Sequence, residues 1–493
     1  MEFLDPVKKL AHTRRLWIGY FLIGIAILLG SFILVILTFG YDLDRKTGEV
    51  IQNGLIFAAS APESSTIYLN GSNKGDTDKR LAVPAGHYDI ELRRKGYQTW
   101  RKSIELDGSG IQRLIYPVLF PEKLKPVESQ TYVGVPVLST QSPDRRWIVT
   151  ALPGSVTDFE IFDTTNPALK PVPFALPATT MTAPPKGAQQ TLSLVEWSTD
   201  NRHILVKHTY GDAFEFVMVD KENPEASINI NSLLARTPTT VTLRDKKFNQ
   251  LYLYDAATRA LDSADTKTKE IISVLTAVNS FKSYQDDTIL YATDDPALPG
   301  KTSVKILDSG KSYTLKVFPT TGVLLDLARF DGTMYVAAAP VAEGRMYVFK
   351  DPLDRVRSKP MIEAPALVLL RVENPSKLSF SANTRFVSVQ GGNKFSVYDF
   401  EELRHHTFTA QETLVPTELA SWMDGHRLTF NHNGSVYVYE FDGANRRQLL
   451  PIQTGELPYF DRNYNRVYAL APSLVDPAKT ALTRTDLKLN IKL

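Results

Sequence analysis

From about residue 126 onward one pattern recurs. A polar turn feeds an apolar strand, and a second strand ends in an aromatic run and an acid. The fullest copies are SPDRRWIVTALPGSVTDFEIFDTTNP (142–167) and WSTDNRHILVKHTYGDAFEFVMVDKENP (197–224). YQDDTILYATDD with SVKILDSGK, FDGTMYVAAAPVAEGRMYVFKDP, FSANTRFVSVQGGNKFSVYDFEE, WMDGHRLTFNHNGSVYVYEFDGANRRQLL and FDRNYNRVYALAPS follow the same grammar, and FNQLYLYDAATRAL near 248–261 follows it more weakly. A small sheet of this kind cannot cover both its faces alone, whereas repetition around an axis covers them all. Repeats of this length predict a β-propeller over 126–493, and roughly 370 positions at ~45 per blade give about eight blades, with seven the alternative. Thr131–Leu138 is the expected ring-closing strand. The acids ending the second strands, Asp163, Asp220, Asp255, Asp308, Asp351, Asp399 and Asp442, are expected turn formers and strand caps.

The chain has 493 residues, more than one hydrophobic core accommodates, so further domains are expected. With 43% hydrophobic and 22% charged residues it is globular, and a net charge of +2 supplies no drive toward nucleic acid. The absence of cysteine removes disulfides, thiolate metal sites and thiol nucleophiles without fixing a compartment.

Leu16–Phe39 carries no charge over 24 residues. As a helix it would extend roughly 36 Å, enough to cross a ~30 Å hydrocarbon core. The run exceeds a signal-peptide apolar region, no A-x-A-like site follows it, and it leaves through Thr-Phe-Gly-Tyr, so an uncleaved single-pass anchor is preferred to a cleaved signal. Lys8, Lys9, Arg14 and Arg15 precede the run, whereas Asp42, Asp44, Arg45, Lys46 and Glu49 follow it with mixed sign. The positive-inside rule then gives a cytoplasmic tail (1–15), an anchor (16–39), a linker (40–53) and extracytoplasmic domains. Trp17, Tyr20 and Tyr41 suit the interfaces. Ala26 and Gly30 form a small-xxx-small pair, which leaves the oligomeric state open.

Residues 54–120 parse into short strands separated by turns. Leu55–Ser60 and Thr66–Leu69 read as strands, with turns at Pro62-Glu63-Ser64, Asn70-Gly71 and Pro84-Ala85-Gly86. His87–Arg93 alternates, with Tyr88, Ile90 and Leu92 on one face, and Trp100–Leu106 and Ile111–Leu119 complete a small β-sandwich. The order Pro-Glu-x-x-x-Ile-Tyr-Leu-Asn-Gly, Gly75, Val-Pro-Ala-Gly-x-Tyr and Arg-Lys-Gly-Tyr-x-x-Trp resembles the PEGA domain, a small β module whose family implies cell-surface placement and no transferable catalytic residue. Ser64 and Ser65 replace the Gly and Ala of the namesake motif, and Gly75-Asp76-Thr77-Asp78 lacks the family's Pro, which bears on turn geometry. The propeller region resembles TolB-like or WD40-type propellers in grammar only, because the GH…WD signature is missing. Arg93, Arg94, Lys95, Arg101 and Lys102 form a basic edge, read first as a solvated edge that discourages strand addition and second as a polymer or lipid contact.

No catalytic, cofactor-binding or metal residue is assigned, and the binding residues are unknown. His12, His87, His203, His208, His405, His406, His426 and His432 form no H-E-x-x-H or H-x-H motif, His203 and His208 fall on opposite strand faces, and His405-His406 reads as a surface loop pair. Ser155 lies in Leu-Pro-Gly-Ser, which is not a nucleophile elbow. Asp42, Asp44, Gly48 and Glu49 only faintly resemble a calcium loop. The expected protein is an all-β, membrane-anchored surface protein that leans to non-enzymatic. Its PEGA-like module would be a spacer or wall contact and its propeller a platform for an envelope protein or polysaccharide. A propeller hydrolase or lyase and an accessory subunit of an envelope complex are the alternatives.

Overall fold

The computed structural model describes residues 6–38, 41–43, 50–285, 288–294, 299–358 and 363–489. The chain divides into two compact units, Met1–Lys123 and Leu124–Leu493. In the first, an unbroken helix runs Pro6–Thr38, and its segment His12–Ile36 is long and apolar enough to cross a membrane. Phe39, Gly40, Asp44, Arg45, Lys46, Gly48 and Glu49, and with them the calcium-loop spacing, lie outside the described residues.

After the helix come two small sheets. One orders Ser72–Asp76, Thr66–Leu69, Gly86–Arg93 and Trp100–Leu106; the other holds Tyr41–Leu43, Val50–Ala58 and Lys79–Pro84, with Ile111–Leu114 parallel to Val50–Ala58. Trp100, Ile67, Ile56, Ile90 and Leu92 are buried in this unit. Asn70 and Gly71 take φ of 47° and 77°, the signs a two-residue hairpin turn requires. Three sequence expectations are corrected. The strand placed at Leu55–Ser60 occupies Val50–Ala58, and the strand placed at Ile111–Leu119 ends at Leu114, shortly before Pro117, which has no N–H to donate. Ser72–Asp76 and Lys79–Pro84 are additional strands; the first is mostly exposed, so it lacks the apolar alternation that marks a strand in sequence.

The two serines in the Pro62 turn do separate work. Ser64 adopts φ 59°, the left-handed conformation that Gly would take freely. Ser65 is fully buried; its Oγ lies 3.0 Å from Ser60 Oγ and 3.1 Å from the Pro62 carbonyl, and its N–H donates to Thr77 Oγ1. The Ser65 hydroxyl, which Ala would lack, braces this turn through Ser60 and Pro62, while the Ser65 backbone and Ser60 Oγ tie it to Thr77 in the Gly75–Asp78 turn.

The second unit contains eight four-stranded sheets among the described residues. In chain order they are blade 1 (138–175), blade 2 (190–229), blade 3 (240–275), blade 4 (278–318), blade 5 (323–371), blade 6 (377–409), blade 7 (421–451) and blade 8 (459–486), the last completed by Val127–Tyr132. Seven blades run through four consecutive strands, whereas blade 8 takes its fourth strand from the start of the unit. There Tyr132 pairs with Thr480 and Gln130 with Leu482. The closing strand therefore lies earlier than Thr131–Leu138, because Gly134 at φ 98° and Pro136 interrupt that stretch. Apolar cores sit between blades: Val149 and Ala151 meet Trp197, Ile204 and Val206, and Phe162 meets Tyr468 edge-on at 5.5 Å. Each such buried side chain contributes about 1.5–3 kcal/mol, which stabilises every blade through its neighbours.

The repeated acids serve as turn formers and, in several blades, as arginine partners. Asp399 accepts the N–H groups of Glu401 and Glu402 and pairs with Arg385 at 2.5 Å; Asp220 does the same with Glu222, Asn223 and Arg202. Asp163 pairs with Arg146 at 3.0 Å, and Asp308 pairs with Arg357. Asp351 accepts from Met334 N–H and Asp442 from Ala444 N–H. Blade 3 departs by one strand: Asp255 ends its second strand, and Asp265 is the acid that ends the third.

Three outcomes follow from this architecture. In this cysteine-free chain, Thr131→Cys with Ala481→Cys should form a disulfide on oxidation and raise the thermal midpoint, and failure to cross-link would contradict the closing register. Asp399→Ala should cost about 2–3 kcal/mol in denaturant unfolding because it removes the buried partner of Arg385 and the acceptor of two N–H groups while Glu401 and Glu402 still pair with that arginine, against about 1 kcal/mol for Asp163→Ala beside the half-exposed Arg146. Burial among Phe386 and Phe441 holds His426 down at about 4, from an ordinary 6.5. The unfolded chain takes up that proton below pH 6.5 while the folded chain does not until about pH 4, so stability falls across this window and levels off beneath it. His426→Gln should remove about 2–3 kcal/mol of the wild-type loss between pH 7 and 4.5.

Candidate functional site

In each blade the first strand lies innermost, with one edge that has no strand beside it. Backbone groups on such an edge need other partners, and side chains from the next blade supply several. Glu196 in blade 2 accepts the Leu243 N–H of blade 3 at 2.6 Å, and Asp326 in blade 5 accepts the Phe380 N–H of blade 6 at 3.1 Å. Gln141 in blade 1 donates Nε2 to the Phe460 carbonyl of blade 8 at 2.9 Å, and Trp422 in blade 7 donates Nε1 to the Ser379 carbonyl of blade 6 at 3.2 Å. These contacts follow the ring and bring polar and charged side chains to its inner strands.

Blades 2 to 6 carry a mixed-charge cluster there. Lys246, just past the first strand of blade 3, pairs with Glu196. Asp326 is held above the usual carboxylate range by burial; Lys282, the Phe380 and Leu327 N–H groups and Lys246 oppose that shift. Lys377 on the first strand of blade 6 is lowered by burial and then by the charge of Lys282 in blade 4. Blades 3 and 5 are not neighbours in the ring, nor are blades 4 and 6. On the opposite side Arg145 of blade 1 reaches past blade 8, donating Nη2 to the Met423 carbonyl of blade 7 at 2.9 Å while lying over the Tyr464 ring. Hydrogen bonds thus link blades 7, 8 and 1, and charges of both signs lie along the first strands of blades 2 to 6.

None of these axial residues was singled out from sequence. Their signal is a charge inside an apolar strand, as in Leu-Leu-Asp326-Leu, but nothing local tells such a charge from an exposed one.

The histidines occupy separate environments. His203 stacks on Phe248 at 3.9 Å and meets Asp200 at 2.6 Å. His208 is fully buried between Glu215, 2.9 Å away, and Gln190, 3.0 Å away. His432 meets Glu418 at 2.9 Å. His405 and His406 are not a loop pair; they belong to the strand Arg404–Thr409, where His405 pairs with Tyr398 and His406 with Val397. No group of three or more His, Asp or Glu suited to a metal occurs among the described residues. Ser155 Oγ donates to Asp158 at 2.7 Å and accepts the Thr157 and Asp158 N–H groups, a turn arrangement.

Glu215 also borders a 530 Å³ cleft with Thr182, Tyr210, Asn231 and Arg236. Its carboxylate already accepts from Thr182 N–H and Oγ, from Asn229 and at the His208 contact, so it organises the wall of the cleft. On the sandwich, Arg93 and Arg101 converge on Glu91, which lies below the usual carboxylate range because both donate to it. Arg94 donates to the Glu63 and Ser64 carbonyls and Lys102 to Tyr116 Oη. The basic edge is therefore largely engaged within its own unit.

No curated protein matches the chain. Among solved structures, similarity is to the Dos1 propeller (12% identity, 74% of this chain and 95% of that chain, TM-score 0.45). It extends to the Cps50 (Swd1) β-propeller domain of Myceliophteria thermophila (11%, 74% and 99%, TM-score 0.38) and to an oligogalacturonate lyase from Vibrio parahaemolyticus (11%, 75% and 98%, TM-score 0.39). Residues 53–117 match the PEGA domain family. The sandwich is a PEGA domain, and it precedes an eight-bladed β-propeller.

Proposed function

We propose that this is a membrane-anchored surface protein in which the helix holds the chain in the bilayer with residues 1–15 in the cytoplasm. The PEGA domain acts as a spacer or wall contact, and the propeller is a binding platform for an envelope protein or glycan. The observation that carries this reading is the exposure of the helix: its most apolar window is 0% buried, and Trp17 and Leu28 are 73% and 69% exposed. Apolar surface of this extent finds its complement in lipid, where a helix also satisfies its own backbone. A binding role is supported by charges gathered from several blades at the propeller axis. The hydrolase or lyase alternative would need acids or a Ser/His pair clustered at one mouth of the propeller channel, and two acids on inner strands, Glu196 and Asp326, accept backbone N–H groups instead.

Protease treatment of intact cells should digest the PEGA and propeller domains and leave an N-terminal fragment that includes the anchor. Recovery of a chain beginning beyond residue 39, or full protection of the propeller, would overturn the topology. Incubation of the full detergent-solubilised chain with envelope and wall fractions should retain a component chemically unchanged, whereas release of cleaved glycan or peptide would replace the platform with an enzyme.

A further inference from the structure

We propose that the outer face of the PEGA sheet formed by Val50–Ala58, Lys79–Pro84 and Ile111–Leu114 rests on the membrane that holds the anchor, against its acidic phospholipid headgroups. The inference rests on the anchor proposed above and goes beyond the spacer role by giving one face of the domain a contact of its own. Successive residues of a strand point to opposite faces, and burial follows that alternation here. Ile56, Ala58, Leu81 and Leu114 are buried in the sandwich, and the residues between them turn outward. On the outer face Phe57 stands between Arg80 and Arg113 in register, and Leu55 stands beside Ile111. Ile111 and Ile115 are 57% and 62% exposed, and both arginines are exposed.

Apolar side chains this exposed, on a sheet whose other face already has a core, mark a contact surface. The side chains of Arg80 and Arg113 have no ion-pair or hydrogen-bond partner among the described residues, and none of the three strands sets a carboxylate on this face. Two free cations flanking an aromatic ring complement an anionic bilayer interface. The guanidinium fork matches phosphate oxygens, while the ring and the branched side chains sink among the headgroups. The backbone puts the face within reach: Tyr41, three residues beyond the helix, pairs with Gln52 near the start of Val50–Ala58. The link from Thr38 to Tyr41 spans at most about 11 Å and strand residues advance about 3.3 Å each, so Leu55 stands within roughly 30 Å of the helix end.

The chain has no cysteine, so a single thiol probe can be placed at will. The full chain carrying Ile115→Cys with an environment-sensitive fluorophore is reconstituted in nanodiscs of phosphatidylcholine alone or of equal parts phosphatidylcholine and phosphatidylglycerol. Each nanodisc also carries a headgroup spin-labelled lipid as quencher. Quenching should be at least about twofold stronger in the anionic nanodiscs and should fall as salt is raised. Arg80→Gln and Arg113→Gln should each lower the ratio of docked to undocked chains about fivefold. A probe at Ser72→Cys, on a mostly exposed strand of the other sheet, should show no dependence on lipid composition.

Equal quenching of the Ile115→Cys probe in the two lipids, or undiminished quenching in the double arginine variant, overturns the proposal. Shielding of that probe from iodide without quenching by lipid also overturns it and gives the face to a protein, a second copy included. If an arginine variant loses the wild-type melting transition, the chain with both arginines decides through its salt dependence, and a flat response overturns the docking. Extraction of the chain from liposomes by alkaline carbonate would sink the anchor and this inference with it. A chain that stays in the bilayer with an unquenched probe removes the docked face and leaves the anchor standing.

Discussion

The pairing of Val127–Tyr132 with Thr480–Asp486 is the interaction on which the propeller depends. Each blade covers its apolar faces with its two neighbours, so an open ring would leave both terminal blades with a face in water. The contacts that join blade 8 to blade 1 fall at this junction: Phe162 against Tyr468, Gln141 to the Phe460 carbonyl and Tyr468 Oη to the Thr164 carbonyl. With no cysteine in the chain, closure relies on strand pairing, burial and these hydrogen bonds. Its cost in chain entropy is large because the two strands are separated by nearly the whole unit, and the offset is distributed over every inter-blade core.

Closure creates a second constraint at the axis. First strands present unpaired edges toward the axis, and their N–H and C=O groups need partners from there. Glu196, Asp326, Gln141 and Trp422 meet that need, each by reaching to an adjacent blade. A carboxylate placed there for structural reasons also attracts a lysine, as Glu196 does Lys246. The charges along the inner strands are thus in part a consequence of how the ring satisfies its own backbone.

Much of the fold was legible because its signals are local. The apolar run from Leu16 predicts the helix, Asn70-Gly71 its hairpin turn, and the alternation in His87–Arg93 a strand with Ile90 and Leu92 inward. The recurrence of turn, strand and acid predicts the blades. Other features depend on partners distant in sequence. The closing strand reads Val-Glu-Ser-Gln-Thr-Tyr, largely polar because it is the outermost strand of its blade, and nothing local marks it as belonging to residues 480–486. In blade 3 both Asp255 and Asp265 follow apolar strands, which hides the register. The axial contacts were invisible for a stronger reason: Glu196 and Lys246, or Asp326 and Phe380, meet only because successive blades stack around one axis.

The position of the closing strand also gives the molecule a mechanical character. It begins at Val127, directly after the unit that carries the helix and the PEGA domain, so tension along the chain from that side enters the ring at the strand that seals it. Val127 is paired with Arg484, close to the far end of the described chain. Force applied between the tether and the C-terminal end would therefore peel the two strands apart pair by pair, like a zipper opened from its end. If a bound partner instead held the ring at its axis, the pull would be resisted by the inter-blade cores as well. The same chain would then yield readily when empty and hold when occupied.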